Sequence, residues 1–128
     1  MALRDLLHVF VVDDMSTSRG LILQALDAFG IRNVRHAADA NSALKALETQ
    51  PAHLVISDFN MPGMDGLQLL QTLRQHPQLK GTGFILITGK AEKSLIEAGQ
   101  RLGMNNFIKK PFSPTDLQKC IESVVGRL

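Results

Sequence analysis

The sequence predicts an α/β domain built on a parallel β-sheet. Short apolar or β-branched runs alternate five times with longer segments of helical periodicity, and three of the runs are almost continuously apolar. Such alternation is typical of strands joined by crossover helices. Continuous apolar runs are typical of central parallel strands that are covered on both faces. With 128 residues, the chain has the length of one domain, and we expect a single domain over 1–128 with no output domain attached.

The predicted strands cover residues 8–12, 34–37, 54–57, 84–87 and 107–109. The first, third and fourth are rich in Val, Ile, Leu and Phe, so we place them at the centre of the sheet. The second contains Arg35 and His36, which indicates an edge strand.

Residues with capping chemistry delimit the predicted helices. Asp39 is predicted to cap the second helix, and Asp65 precedes the third. The first predicted helix is capped by Ser16, runs to Phe29 and stops at Gly30. The fourth covers 92–102 and ends at Gly103. The fifth starts at Ser113-Pro114 and keeps apolar residues at helical spacing to Leu128.

Composition excludes several classes of function. The net charge of +2 comes from 14 basic and 12 acidic residues scattered along the chain, whereas nucleic-acid binding needs a denser basic patch. No apolar stretch is long enough to cross a bilayer, and the amino terminus lacks the pattern of an export signal, so we expect a cytoplasmic protein. Cys120 is the only cysteine, and the four histidines lack zinc spacing; we interpret all five as structural.

Polar residues stand at the carboxyl end of four predicted strands. These are Asp13-Asp14 after the first, Asp58 after the third, Thr88 after the fourth, and Lys109-Lys110 at the end of the fifth. Open α/β sheets bind ligands at this edge. We therefore expect three carboxylates, one hydroxyl and at least one ammonium group to converge there.

This set of groups favours a cation and a phosphoryl group. Three clustered carboxylates repel one another, and a hard cation with oxygen ligands, best matched by Mg²⁺, offsets that repulsion. A cation, an ammonium group and a hydroxyl together can stabilise a phosphoryl group in transfer. Asp58 is the best candidate nucleophile, since it stands alone on the middle strand while Asp13 and Asp14 form a natural metal-binding pair.

These residues resemble the receiver domains of two-component response regulators, and most closely the stand-alone, CheY-like chemotaxis regulators. The resemblance covers nearly the whole chain. It is carried by the motifs VVDD at 11–14, SDFNMPGMDG at 57–66, IT at 87–88 and KPF at 110–112. It implies a flavodoxin-like, doubly wound (βα)5 fold with strand order 2-1-3-4-5.

The resemblance also assigns roles to individual residues. Asp58 would be the phosphoacceptor. Mg²⁺ would be bound directly by Asp14, Asp58 and the main-chain carbonyl of Asn60, and through water by Asp13. Thr88 would hydrogen-bond the phosphoryl group, and Lys110, which directly precedes proline, would pair with it in preference to Lys109. The Lys110-Pro111 bond would be cis.

The same resemblance implies a conformational switch. Thr88 and Phe107 would move together on phosphorylation, and the readout surface would be the fourth predicted helix, the fifth strand and the fifth predicted helix. Asn60, Gly89 and Lys90 border the site and would modulate the lifetime of the phosphorylated state. Phe107 also lacks the hydroxyl of the commoner tyrosine.

Expected partners are a separate CheA-like sensor histidine kinase, a flagellar motor switch protein and a phosphatase, and we expect a monomer that catalyses only its own phosphorylation and dephosphorylation. A phosphate sink or a phosphotransfer intermediate is an open alternative. Two other classes fit less well. Haloacid-dehalogenase-like phosphatases place an Asp-x-Asp motif after the first strand, and a flavin phosphate does not favour the acidic loop at 13–14.

Overall fold

The fold is a five-stranded parallel sheet between two layers of helices. The computed structural model describes residues 2–128. Its strands are β1 (His8–Val12), β2 (Asn33–Ala37), β3 (Leu54–Asp58), β4 (Gly83–Thr88) and β5 (Asn106–Lys109). They lie in the order β2-β1-β3-β4-β5, and each neighbouring pair is parallel. The predicted fold class, strand order and edge position of β2 are confirmed.

The helices are α1 (Leu3–Leu6), α2 (Ser16–Ala28), α3 (Ala40–Thr49), α4 (Gly66–Gln75), α5 (Lys93–Leu102) and α6 (Pro114–Val125). Only α1 was not predicted, because four residues are too few to show a helical period. The side chains of Asp39, Asp65 and Ser113 each accept a hydrogen bond from a main-chain N–H of the following turn, which confirms the predicted helix starts at these residues. Gly103 ends α5 in a left-handed conformation with φ of 92°.

Two predicted helix boundaries are wrong. Met15, not Ser16, is the N-cap of α2, and Ser16 is the first helical residue. The Asp13 carboxylate holds the Met15 N–H at 3.0 Å and so moves the chain into the helix one residue early. At the other end of the chain, α6 stops at Val125 because Gly126 has a φ of 99°, so Leu128 lies beyond the helix.

Alternate residues of each strand pack on opposite faces of the sheet. In β1, Val9 and Val11 join the apolar cluster under α2 and α6, whereas Phe10 and Val12 join the cluster under α3, α4 and α5. All four side chains are buried. Coverage on both faces explains the continuous apolar runs of the central strands. Among residues 2–128, no helix combines the length and apolar character needed to span a membrane.

The sheet register brings the polar strand ends to one edge. β3 and β4 each extend one residue further than predicted, so Asp58 and Thr88 are the last residues of their strands. Asp58 stands opposite Ile87, and Thr88 stands opposite Lys109. Backbone hydrogen bonds of the sheet therefore fix the positions from which the site is built.

Candidate metal and phosphoacceptor site

Three carboxylates meet at the carboxyl edge of the sheet. Oxygens of Asp13, Asp14 and Asp58 lie within 4.8 Å of one another. Asp13 and Asp58 are buried, whereas Asp14 is exposed. The predicted convergence of the three carboxylates is thus observed, and the exposed Asp14 leaves the cluster open to solvent.

Lys110 is the basic group of this cluster. Its Nζ lies 3.5 Å from Oδ2 of Asp58 and 3.7 Å from Oδ2 of Asp13. Lys109, the last residue of β5, is exposed and forms no salt bridge within 2–128. The peptide bond between Lys110 and Pro111 is cis, the geometry that the family resemblance implied.

The charges of the cluster are not balanced. Burial raises the pKa of the Asp58 carboxyl group, the Lys110 ammonium group lowers it, and the Asp13 carboxylate raises it further. Burial outweighs the neighbouring cation, so the net pKa is above the ordinary value. A second cation at this edge would offset the remaining negative charge.

The geometry of Asp13 fits such a cation. This residue has no exposed surface. Its Oδ1 accepts a hydrogen bond from the N–H of Met15, whereas its Oδ2 has no hydrogen-bond partner within residues 2–128. A buried carboxylate oxygen without a partner is costly unless a ligand satisfies it. An all-oxygen donor set of three carboxylates suits a hard ion such as Mg²⁺.

The chain between Asp58 and Asn60 is anchored at Phe59. The Phe59 N–H donates to the carbonyl of Ile87 at 2.8 Å, and its carbonyl accepts from the N–H of Gly66 at 2.9 Å. Phe59 is therefore held between the end of β4 and the start of α4. Anchoring of Phe59 fixes the direction of the main chain at its two neighbours, Asp58 and the exposed Asn60.

Thr88 is buried, and its hydroxyl is engaged with the following loop. The hydroxyl donates to the main-chain carbonyl of Lys90 at 3.0 Å and accepts from the N–H of Lys90 at 3.1 Å. Gly89 and the Lys90 side chain are exposed. To donate to a phosphoryl oxygen, the hydroxyl must give up its bond to the Lys90 carbonyl, so the loop is linked to any ligand that Thr88 binds.

Phe107 lies on the edge strand β5 and is half-buried against the cluster under α4 and α5. Its N–H donates to Oδ1 of Asn106 at 2.8 Å. The Asn106 amide in turn donates to the hydroxyl of Ser123 on α6 at 2.7 Å. The main chain at Phe107 is thus tied to α6.

Two residues near the site were missed by the sequence reasoning. Gly66 begins α4, where a Cβ atom would lie 2.5 Å from the carbonyl oxygen of Asp58. The Asp65-Gly66 pair could have indicated this close approach, because glycine at a helix start often marks one. Arg19 donates to the main-chain carbonyl of Asp13 at 2.7 Å. No pattern in the sequence pointed to that contact.

An apolar groove of about 690 Å³ borders the site between α2 and the segment after β5. Met15, the N-cap of α2, and Leu21 on α2 line one side, and Lys110, Pro111 and Phe112 line the other. The exposed fractions of Met15 and Leu21 are 59% and 62%, which is unusual for large apolar side chains. The groove therefore offers an apolar surface next to the carboxylates.

A family model for the response regulator receiver domain matches residues 9–122. The chain belongs to this family. It is 40% identical over 128 residues to a probable chemotaxis protein CheY of Rhizobium etli, with 100% of this chain and 99% of the relative covered. Chemotaxis protein CheY4 of Vibrio cholerae superposes with a TM-score of 0.87 at 30% identity, covering 92% of this chain and 98% of that chain.

A third similar protein is the receiver domain of the sensor histidine kinase PA1611 from Pseudomonas aeruginosa, which was solved with a magnesium ion coordinated in its active-site cleft. It superposes with a TM-score of 0.85 at 25% identity, covering 94% of this chain and 98% of that chain. The matches span these single domains almost completely.

Proposed function

We propose that this chain is a phosphorylated signalling switch in which Asp58 accepts a phosphoryl group from a histidine kinase with the help of Mg²⁺. The observation that carries the proposal is the cluster of three carboxylates within 4.8 Å of one another, with the Lys110 ammonium group 3.5 Å from Asp58. The magnesium ion in the similar PA1611 receiver domain supports the same chemistry here.

Mg²⁺ would be held by Asp14, Asp58 and the Asn60 carbonyl, with Asp13 acting mainly through water, and it would offset negative charge on the phosphoryl oxygens. A carboxylate oxygen of Asp58 forms the new bond to phosphorus. The bond from phosphorus to the donor imidazole nitrogen breaks, and its electron pair stays on that nitrogen. Lys110 offsets charge on the transferring group, because its Nζ already lies beside the acceptor oxygen.

Signal output would begin at Thr88. Its hydroxyl would exchange the Lys90 carbonyl for a phosphoryl oxygen and pull the loop after β4 towards the site. Movement of this loop would leave room for the inward rotamer of Phe107 and so shift the existing equilibrium between its rotamers towards that one. The readout surface would be formed by α5, β5 and α6.

We place the protein in the cytoplasm as a monomer that catalyses only its own phosphorylation and dephosphorylation. Control of the flagellar motor in chemotaxis is the favoured role, supported by the similarity over the full length to proteins named for chemotaxis. A phosphate sink or a phosphotransfer intermediate is the second candidate. Asn60, Gly89 and Lys90 would set the lifetime of the phosphorylated state and contact a phosphatase.

Intact-protein mass measurement after incubation with acetyl phosphate tests the chemistry. We expect a gain of one phosphoryl group that requires Mg²⁺, is absent in Asp58→Asn and is slowed in Lys110→Met. Lys109→Met is the matched control, since it removes the same charge one residue away from the cluster. Label that persists in Asp58→Asn, or that forms equally in chelator, would contradict the proposal.

A pull-down with and without beryllofluoride, a mimic of the phosphoryl group, tests the role. Recovery of a motor switch protein only with the mimic would support motor control. Recovery of kinase alone in both states would support the sink or the relay.

A further inference from the structure

The acidic loop after β1 is closed by three hydrogen bonds, two of which are made by Arg19. Nη1 of Arg19 donates to the main-chain carbonyl of Asp13 at 2.7 Å. The N–H of Arg19 donates to the carbonyl of Met15 at 2.9 Å. The N–H of Met15 donates to Oδ1 of Asp13 at 3.0 Å. One residue of α2 thus holds both ends of the loop, through its side chain and its main chain.

Helix stability does not account for a basic residue at this place. Arg19 lies one turn from the start of α2, where the positive end of the helix dipole disfavours a cation. The first turn contains no acidic residue, and Arg19 makes no salt bridge with any residue in 2–128. Its one side-chain hydrogen bond in the described chain is the contact with Asp13.

The contact with Arg19 helps to fix the main chain of Asp13. The N–H of Asp13 donates to the carbonyl of Ala37 at 3.2 Å, and its carbonyl is held by Arg19, so the peptide groups on both sides are anchored. Oδ1 is occupied by Met15. Oδ2 is left without a partner, buried, and 3.7 Å from the Lys110 ammonium group.

We propose that Arg19 is a positioning residue of the metal site: it anchors the loop so that Oδ2 of Asp13 is directed towards the cation and its water shell. The inference rests on the proposed function, because it requires that the cluster binds Mg²⁺. Groups that orient metal ligands from behind raise metal affinity by reducing the reorganisation needed on binding.

The positive charge of Arg19 acts on Mg²⁺ affinity in the direction opposite to positioning. A guanidinium group near the cluster repels Mg²⁺, so its removal would strengthen binding if charge were its only contribution. A positioning role predicts that removal weakens binding. The direction of the change therefore distinguishes the two.

The experiment is a Mg²⁺ titration of the full chain, followed by ¹H–¹⁵N NMR, with Arg19→Met compared with wild type. We expect the dissociation constant to rise about tenfold, at the lower end of the effect of such supporting groups. Arg19→Lys keeps the charge and one donor and should recover part of the affinity. Arg32→Met is the matched control, because Arg32 is exposed in the loop before β2. The Mg²⁺ affinity of this variant should stay within about twofold of wild type.

Unchanged or tighter binding by Arg19→Met, or equal weakening by Arg32→Met, would overturn the inference. If Arg19→Met does not fold, Arg19→Gln is titrated instead, with the same expectation and the same overturning results. Failure of the proposed function is visible separately, in wild type: an absence of saturable shifts with Mg²⁺ would remove the metal site and this inference together.

Discussion

Gly66 should be essential for the geometry of the phosphoacceptor, and Gly66→Ala tests this. A Cβ atom at this position would lie 2.5 Å from the carbonyl oxygen of Asp58, 2.8 Å from Cδ1 of Leu86 and 3.0 Å from the Cα of Phe59. The contact with Leu86 is with the end of a side chain. The other two atoms belong to the main chain, and Asp58 is held in the sheet opposite Ile87.

The structure gives a magnitude for this substitution. Ordinary contact begins at 3.4 Å, so α4 or the end of β3 must move by about 0.9 Å. Overpacking of this kind costs about 1–3 kcal/mol. The helix propensity of alanine returns less than about 1 kcal/mol at a helix start. We expect the free energy of unfolding to fall by about 1–2 kcal/mol and the Mg²⁺ affinity to fall with it, because Asp58 and Asn60 flank the displaced segment.

Urea unfolding in chelator, and a Mg²⁺ titration, measure both effects. Gly20→Ala is the matched control: it lies within α2, and no atom lies within 4 Å of the added Cβ. It should gain about 0.5–1 kcal/mol, as an exposed glycine in a helix does when replaced by alanine. If Gly66→Ala were as stable as Gly20→Ala, or bound Mg²⁺ like wild type, the close approach would not position Asp58.

Two further predictions concern Asp58 and the apolar groove. Because burial raises the pKa of folded Asp58 above its ordinary value, wild type should lose stability relative to Asp58→Asn as the pH rises from that ordinary value to the folded pKa. Urea unfolding in chelator between about pH 4 and about pH 7 should show the free energy of unfolding of wild type fall relative to that of Asp58→Asn and then level off. A relative rise would contradict the assignment. Leu21→Glu should slow phosphorylation by a histidine kinase about tenfold but leave acetyl phosphate labelling unchanged, because the groove would contact the donor protein rather than the phosphoryl group. Leu6→Glu is the control, as Leu6 is similarly exposed at 54%, and an equal effect of both substitutions would argue against donor contact at the groove.

Much of the site could be predicted from the sequence because strand ends are easy to locate. Asp13, Asp58 and Thr88 each follow or end a run of apolar residues, and a parallel sheet brings such positions to one edge. The capping residues Asp39 and Ser113 were equally visible, since their chemistry acts on the adjacent turn.

The remaining features depend on loop conformation or on packing between elements. Met15 and not Ser16 is the N-cap of α2, and its N–H is held by the carboxylate of Asp13 two residues earlier. Thr88 has the expected place, but its hydroxyl binds the Lys90 main chain, which only the loop conformation decides. The closeness of Gly66 to Asp58 arises from the packing of α4 against β3.

The sequence by itself determined the fold class, the order of the motifs and the set of groups that meet at the carboxyl edge. Periodicity and strand-end chemistry are local properties, so they can be read along the chain. Only the tertiary structure decided how that set is arranged: how close Lys110 lies to Asp58, which Asp13 oxygen lacks a partner, and that Arg19 holds the loop behind it. Distances between side chains from different elements are set by packing, and packing has no signature in a single sequence.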